Sequence, residues 1–200
     1  MTKSYSMVID VTTCLGCQAC TAACSINNET PYWDGKFRTQ VEDVERGKFP
    51  EVTRTFFPHL CMQCDDSPCV KVCPTGATYK TPEGTVMVDA EKCMGCKACV
   101  EACPYGARYV YTKEEVEKAK PIFGGENHHM FPHVDKCNFC ADTRLNVGLE
   151  PACVATCPGD ARIFGDLNDP GSRVTRLVNS GKAKPIGAEF GTKPRVFYIG

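Results

Sequence analysis

Sixteen cysteines carry the chemistry that this 200-residue sequence can do, and they form four groups of four with none left over. The third group, Cys-Met-Gly-Cys-Lys-Ala-Cys-Val-Glu-Ala-Cys-Pro, has three cysteines at steps of three and a fourth that comes four residues later. Clustered thiolates are ligands for soft metal centres, so the pattern predicts a metal protein. The groups are motif 1 (Cys14, Cys17, Cys20, Cys24), motif 2 (Cys61, Cys64, Cys69, Cys73), motif 3 (Cys93, Cys96, Cys99, Cys103) and motif 4 (Cys137, Cys140, Cys153, Cys157).

The spacing favours iron–sulfur clusters over the alternatives. C-x2-C-x2-C-x3-C-P is the run that binds [4Fe–4S] clusters in bacterial ferredoxins, where the last cysteine ligates the other cluster of a pair. Zinc sites instead take their ligands as two separated pairs. A disulfide scaffold tends to be shorter, and its cysteines are spread more evenly. We therefore expect [4Fe–4S] clusters, with the fourth cysteine of each motif serving a neighbouring cluster.

The motifs repeat as a pair. Residues 7–24 align with residues 86–103 without gaps, and motifs 2 and 4 share Cys-Val-x-x-Cys-Pro-x-x-Ala. Residues 77–89 contain a turn signal between two β-prone runs and predict a hairpin that joins motifs 2 and 3. Motifs 1 and 4 must then pair across the chain, through strand candidates at 6–11 and 161–165.

This pairing predicts four ligand sets. Cube 1 takes Cys14, Cys17, Cys20 and Cys157; cube 2 takes Cys137, Cys140, Cys153 and Cys24; cube 3 takes Cys61, Cys64, Cys69 and Cys103; cube 4 takes Cys93, Cys96, Cys99 and Cys73.

The predicted fold class is α+β, with two ferredoxin-like 2×[4Fe–4S] modules related by internal duplication and with loop insertions. Module A is 1–24 plus 137–168 and holds cubes 1 and 2, and module B is 61–110 and holds cubes 3 and 4. Residues 25–60 and 111–136 are insertions, of which the second contains a helix at 113–120 ended by Pro121. Residues 169–200 form a C-terminal docking tail.

Composition limits the remaining functions. Hydrophobic residues make up 42% of the chain, but this fraction includes the cysteines, so we expect clusters to fill part of the interior. A net charge of −1 predicts no nucleic-acid partner, and no apolar run is long enough to span a membrane. No nucleophile–base pair or carboxylate pair is visible, so the substrate site belongs to a partner.

Several other side chains need an interpretation. Five basic residues lie close in sequence to cysteines and are candidates for offsetting cluster charge, although a solvated surface position is the ordinary expectation for each. Three histidines have no zinc spacing, so we expect an exposed or interface loop there. Trp33 is interpreted as a packing residue. The basic residues are Lys71, Lys92, Lys97, Arg108 and Lys136, and the histidines are His128, His129 and His133.

The chain resembles the iron–sulfur subunits of the dimethyl-sulfoxide-reductase family of molybdenum enzymes, most of all those of polysulfide and thiosulfate reductases. The resemblance rests on the four motifs, the x12 gap of motif 4 and the closing Gly-Thr-Lys-Pro-Arg-Val-Phe-Tyr. It implies a non-catalytic subunit of anaerobic respiration that relays electrons between a membrane subunit that oxidises quinol and a molybdopterin catalytic subunit. Cubes 1 and 2 would face the molybdenum side, and cubes 3 and 4 the membrane side.

The same resemblance implies a location and leaves alternatives. Such subunits associate with the membrane through their partners, typically on its extracytoplasmic face after export with the catalytic subunit; a cytoplasmic site is the alternative. Motif 1 is followed by Ser25 instead of proline, which would loosen that turn. Subunits of arsenate and tetrathionate reductases or of a transhydroxylase, and a free polyferredoxin, remain alternative functions.

Overall fold

The computed structural model describes residues 2–30, 35–123 and 133–200. Trp33, His128 and His129 lie outside the described residues. The strands are β1 Tyr5–Asp10, β2 Thr39–Lys48, β3 Glu51–Leu60, β4 Thr78–Lys80, β5 Val86–Val88, β6 Tyr109–Val110, β7 Val134–Asp135, β8 Arg162–Asp166, β9 Lys184–Pro185 and β10 Val196–Ile199, and the helices are α1 Ala19–Asn27, α2 Pro68–Lys71, α3 Ala98–Glu101, α4 Lys113–Phe123, α5 Ala152–Ala155 and α6 Arg173–Asn179.

A four-stranded sheet with the order β8-β1-β10-β9 brings the two ends of the chain together. Strand β1 pairs antiparallel with β8 and parallel with β10, so the strand that enters motif 1 lies beside the strand that leaves motif 4, as predicted. Three consecutive residues of β1, Met7, Val8 and Ile9, are fully buried, because both faces of this strand are covered. Met7 and Ile9 belong to a core that includes cysteines, whereas Val8 packs in a separate apolar cluster with Val174 of α6.

The C-terminal residues are an integral part of this sheet. Strand β10 pairs on one side with β1 and on the other with β9. Just before β10 the chain runs along motif 2, where the Asp65 N–H donates to the Lys193 carbonyl at 2.9 Å and the Arg195 N–H donates to the Met62 carbonyl at 2.9 Å. The tail therefore docks on this chain itself and ties motif 2 to the strand that enters motif 1.

A long antiparallel hairpin, β2–β3, occupies most of the segment between motifs 1 and 2. Its base is buried at Val41 and Leu60, in the same core as the cysteines, whereas Phe49 at its tip is 92% exposed. Phe56 packs over motif 1 so closely that a Cβ at Gly16 would lie 2.5 Å from its ring. Gly16 also has a φ of +69°, so this position excludes larger residues for two reasons.

The smaller elements frame motif 3. Strands β4 and β5 pair antiparallel, which confirms the hairpin predicted between motifs 2 and 3. Strands β6 and β7 pair the segment after motif 3 with the segment before motif 4. None of the helices within the described ranges is both long and apolar enough to cross a bilayer.

Two expectations about helix ends are wrong. Helix α4 does not end at Pro121 but continues to Phe123, since a proline removes only one N–H and a helix can pass it at a cost. The turn after motif 1 is not loosened by Ser25. Instead α1 continues through Cys24 to Asn27, because no proline stops it there.

Candidate metal centres

None of the sixteen cysteines, all of which lie in the described residues, forms a disulfide, and most are removed from solvent. Nine are buried and five are partly buried, whereas Cys17 and Cys96 are exposed. These two residues hold equivalent places in motifs 1 and 3, each as the second cysteine of its run. The thiols are therefore largely buried, and Cys17 and Cys96 are the most accessible of them.

Three of the motifs end in the same local structure. Helices α2, α3 and α5 are each four residues long and stop just before a Cys-Pro pair, because the residue before proline is disfavoured in helical conformation. The residue three positions after that cysteine returns its N–H to the cysteine carbonyl and has a positive φ. These turn residues are Gly76, Gly106 and Asp160, with φ values of +68°, +60° and +48°.

Thiols of motif 1 and one thiol of motif 4 surround a common pocket. Its lining includes Cys14, Cys17, Cys20 and Cys157 together with Arg162. Burial raises the pKa of the Cys14 thiol, and the nearby Cys20 and Cys157 raise it further. The two motifs also meet through backbone, since a Cβ at position 159 would lie 2.5 Å from the Thr13 carbonyl oxygen.

Cys24 stands apart from the other cysteines of its own motif and lies with motif 4. Burial raises its pKa well above the ordinary value, and its next largest influences include Cys137, Cys153 and Cys140, which raise it further. The Asn28 side-chain amide lies 3.5 Å from the Cys24 sulfur and 3.6 Å from the Cys140 sulfur and donates to both. One turn of α1 therefore carries both a thiol and its hydrogen-bond donor to motif 4.

Cys103 lies near the cysteines of motif 2, as Cys24 lies near those of motif 4. Burial raises the pKa of the Cys64 thiol to about 12; Thr192 opposes this with a hydrogen bond, and Cys61, Cys69 and Cys103 add to it. Cys103 follows α3, which packs against α2 of motif 2. The side chains of motifs 2 and 3 therefore meet where these short helices end.

Backbone amides also point at the sulfurs. N–H groups at hydrogen-bond distance from a sulfur stabilise its thiolate form, which is the form that binds iron. The donor–sulfur distances are 3.3 Å for Thr78 to Cys73, 3.5 Å for Val134 to Cys93, 3.4 Å for Phe139 to Cys137 and 3.3 Å for Ala161 to Cys157.

The donor set fits iron–sulfur clusters. Soft sulfur ligands stand in four groups, amide donors surround them, and buried cations accompany them. Among the described residues, no three cysteine, histidine or acidic side chains stand close enough to hold one metal ion. A [4Fe–4S] cluster makes a different demand, since each thiolate binds its own iron.

The five basic residues that the sequence singled out differ in their burial. Lys71, Lys92 and Lys97 are exposed, whereas Arg108 and Lys136 are buried. Sequence reasoning missed two more, Arg38 and Arg162, which are also buried. A signal existed for Arg162, because it is a charged residue inside a predicted strand that must be buried.

Arg38 lies in a buried polar network beside motif 4. Its Nε donates to Asp135 Oδ2 at 2.9 Å and its Nη1 donates to Asn28 Oδ1 at 3.1 Å. The Arg38 guanidinium lowers the pKa of the Asp135 carboxyl against the opposing effect of burial. His133 is buried two residues before this carboxylate, so the expectation of an exposed or interface position is wrong for His133.

Known proteins with similar sequences are iron–sulfur proteins and reductase subunits. A family model described as a 4Fe-4S dicluster domain matches residues 52–167, and one described as a 4Fe-4S binding domain matches residues 12–33. The sequence is 44% identical to a subunit of the tetrathionate reductase of Salmonella typhimurium, over 98% of this protein and 72% of the relative. It is 43% identical to a component of the polysulfide reductase of Wolinella succinogenes, over 100% and 95% of the two sequences. It is 40% identical to the arsenate respiratory reductase iron-sulfur subunit of a Shewanella species, over 96% and 94%.

Proposed function

Because this protein belongs to the 4Fe-4S dicluster family of reductase iron–sulfur subunits, we propose that it relays electrons through four [4Fe–4S] clusters between a quinol-linked membrane subunit and a molybdopterin catalytic subunit. A bound cluster of this type accepts and donates single electrons. The catalytic partner would reduce a sulfur compound of the polysulfide or thiosulfate type. The observation that carries the proposal is the largely buried set of sixteen thiols, of which only Cys17 of motif 1 and Cys96 of motif 3 are exposed.

We assign the ligands as the sequence predicted. For cube 1 the support is the pocket shared by its four thiols. For cubes 2 and 3 it is the mutual influence of Cys24 with motif 4 and of Cys103 with motif 2. For cube 4 the support is that Cys93 and Cys99 share an apolar cluster with Cys69, which lies on the helix that leads to Cys73.

Internal duplication is the origin that we propose for the two modules. Gly16 and Gly95 both have a φ of +69°, and the residues before α1 and α3, Gln18 and Lys97, are both left-handed. Motif 1 departs only after its helix begins, where Ser25 replaces proline. Equal backbone geometry at aligned positions is what a duplicated gene segment would produce.

The two exposed cysteines mark the ends of the relay. Leu15 and Met94, each directly after the first cysteine of its motif, are large exposed apolar residues. Exposed apolar side chains beside a cluster suit a surface that a partner covers. The Leu15 surface would meet the catalytic subunit and the Met94 surface the membrane subunit, which would place the protein at a membrane, on its extracytoplasmic face, through its partners.

Purification from the native host tests the proposal. We expect about sixteen irons and as many acid-labile sulfides per chain, together with a large molybdopterin subunit in the same complex. Metal analysis and size-exclusion chromatography provide the measurement. Full iron in a stable monomer that binds no catalytic subunit would favour a free polyferredoxin, and zinc without sulfide would exclude electron transfer altogether.

Charged substitutions test the two docking surfaces separately. Leu15→Asp is expected to weaken binding of the catalytic subunit at least about tenfold, because a carboxylate would be buried without a partner. Met94→Asp should instead weaken binding of the membrane subunit. Each variant is the control for the other, and iron content should be unchanged in both. Equal effects of both variants on both partners would contradict the assignment of the ends.

A further inference from the structure

We propose that three buried cations, Arg162, Lys136 and Arg108, lie between successive clusters and that each sets the reduction potentials of the two clusters beside it. This inference rests on the proposed function, because it uses the four ligand sets assigned above. We call these three residues the relay cations.

The relay cations are buried without a carboxylate. Their exposed fractions are 1% for Arg162, 2% for Lys136 and 3% for Arg108. In the part of the chain that the structure describes, none of them is within ion-pair distance of an acidic side chain. An isolated charge in a protein interior is strongly unfavourable, so a compensating negative charge is required.

Their hydrogen bonds to oxygen atoms go only to neutral groups. Arg162 Nη2 donates to Thr39 Oγ1 at 2.8 Å, and Arg108 Nη1 donates to Thr78 Oγ1 at 3.1 Å. Lys136 Nζ donates to the Cys137 carbonyl at 2.9 Å and to the Val86 carbonyl of β5. Arg162 Nη1, Arg108 Nε and Arg108 Nη2 have no nitrogen or oxygen partner. The guanidinium groups of Arg162 and Arg108 instead hydrogen-bond the thiols of Cys153 and Cys99, respectively.

Arg162 faces thiols from cubes 1 and 2. Burial opposes its charge, and the nearby thiols that favour it most are Cys153, Cys20 and Cys137, so its pKa is raised. The effect is reciprocal, since burial raises the pKa of Cys153 to about 11 and Arg162 acts in the opposite direction. Arg162 also lines the pocket of the cube 1 thiols.

Lys136 and Arg108 continue the series. Lys136 directly precedes Cys137 of cube 2, which shares a buried core cluster with Cys61 of cube 3. Burial lowers the pKa of Lys136, and Arg108 lowers it further, while the thiols of Cys61, Cys137 and Cys69 act in the opposite direction. Arg108 donates to the Thr78 hydroxyl, and the Thr78 N–H donates to Cys73 of cube 4. Burial opposes the charge of Arg108, but Cys69 and Cys61 of cube 3 and Cys99 of cube 4 raise its pKa. The order along the relay is therefore cube 1, Arg162, cube 2, Lys136, cube 3, Arg108 and cube 4.

Arg38 shows what distinguishes the relay cations. It is also buried and lies beside Cys24, but Asp135 neutralises it at 2.9 Å. Lys97 lies between two cysteines in sequence but is exposed, so water screens its charge. A buried cation without a carboxylate interacts strongly with the extra electron of a reduced cluster, because the surrounding dielectric constant is low. It should therefore raise the potentials of both neighbouring clusters.

Neutral variants of the holoprotein in its complex test whether each relay cation acts on the two clusters beside it. Lys136→Gln keeps N–H donors for the two carbonyls but removes the charge. We expect the equilibrium constant for reducing cubes 2 and 3 to fall about tenfold each, which is a shift of about 59 mV to lower potential for one electron. Arg162→Gln should shift cubes 1 and 2 and Arg108→Gln should shift cubes 3 and 4, as measured by potentiometric titration followed by electron paramagnetic resonance.

Two controls accompany these variants. Lys136→Arg retains the charge and should retain all four potentials, and Lys97→Met removes an exposed charge and should change none. Unchanged potentials in neutral variants that keep their iron, or equal shifts of all four clusters, would overturn the inference. Loss of clusters from all three neutral variants would also overturn it, since the cations would then act in assembly. Wild-type protein without iron would instead refute the proposed function.

Discussion

Cys103→Ala is expected to remove or damage the cluster bound by motif 2 and to leave the cluster bound by the other three cysteines of motif 3 intact. Cys103 follows the end of α3, and its thiol raises the pKa of Cys64 together with Cys61 and Cys69. A ligand at this position serves the neighbouring motif because the chain has turned away from its own loop. Loss of a whole cluster would lower the iron content by about four per chain.

Cys99→Ala is the matched control. This residue lies in the same motif, and its replacement should affect the cluster of motif 3. Electron paramagnetic resonance of both reduced variants, with iron analysis, would distinguish the two clusters. If Cys103→Ala and Cys99→Ala altered the same signal, the exchange of ligands between motifs would be wrong.

Removal of iron and sulfide is expected to unfold most of the chain. In the largest core cluster among the described residues, five of the thirteen buried residues are cysteines, whose thiols would lose the iron atoms that they bind. Burial already raises the pKa of Cys24, Cys137 and Cys153, so the thiolates that clusters require are stable here only when iron compensates their charge. Apoprotein should therefore show no cooperative thermal transition by near-ultraviolet circular dichroism.

One face of the four-stranded sheet packs in a core cluster without cysteines and can be compared with the rest of the apoprotein. The cluster of Val8, Ile163, Val174 and Ala183 contains no cysteine. Hydrogen exchange should show that any residual protection in the apoprotein is confined to β1, β8 and α6, and reconstitution with iron and sulfide should restore it elsewhere. A cooperative, native-like transition of the apoprotein would contradict the role of the clusters as part of the core.

Local features could be predicted from the sequence because they depend on residues close together in the chain. The gap lengths alone indicated iron–sulfur motifs, since a tight loop must present its thiolates to one cluster. The hairpin β4–β5 followed from a turn signal between two β-prone runs, and β1 with β8 followed from the pairing of the motifs they flank. The helix beyond Pro121 and the continuation of α1 past Cys24 were missed, because one residue changes a helix end by only a modest free energy.

Long-range features were decided by the tertiary structure. The sequence did not indicate that the C-terminal residues form a strand parallel to β1, or that Arg162 lies among thiols of two motifs while Lys97 is exposed. A basic residue next to a cysteine has the same local pattern whether it faces water or a cluster. Only the packing of distant segments removes water from one charge and not from another, and that packing determines which cations act on the clusters.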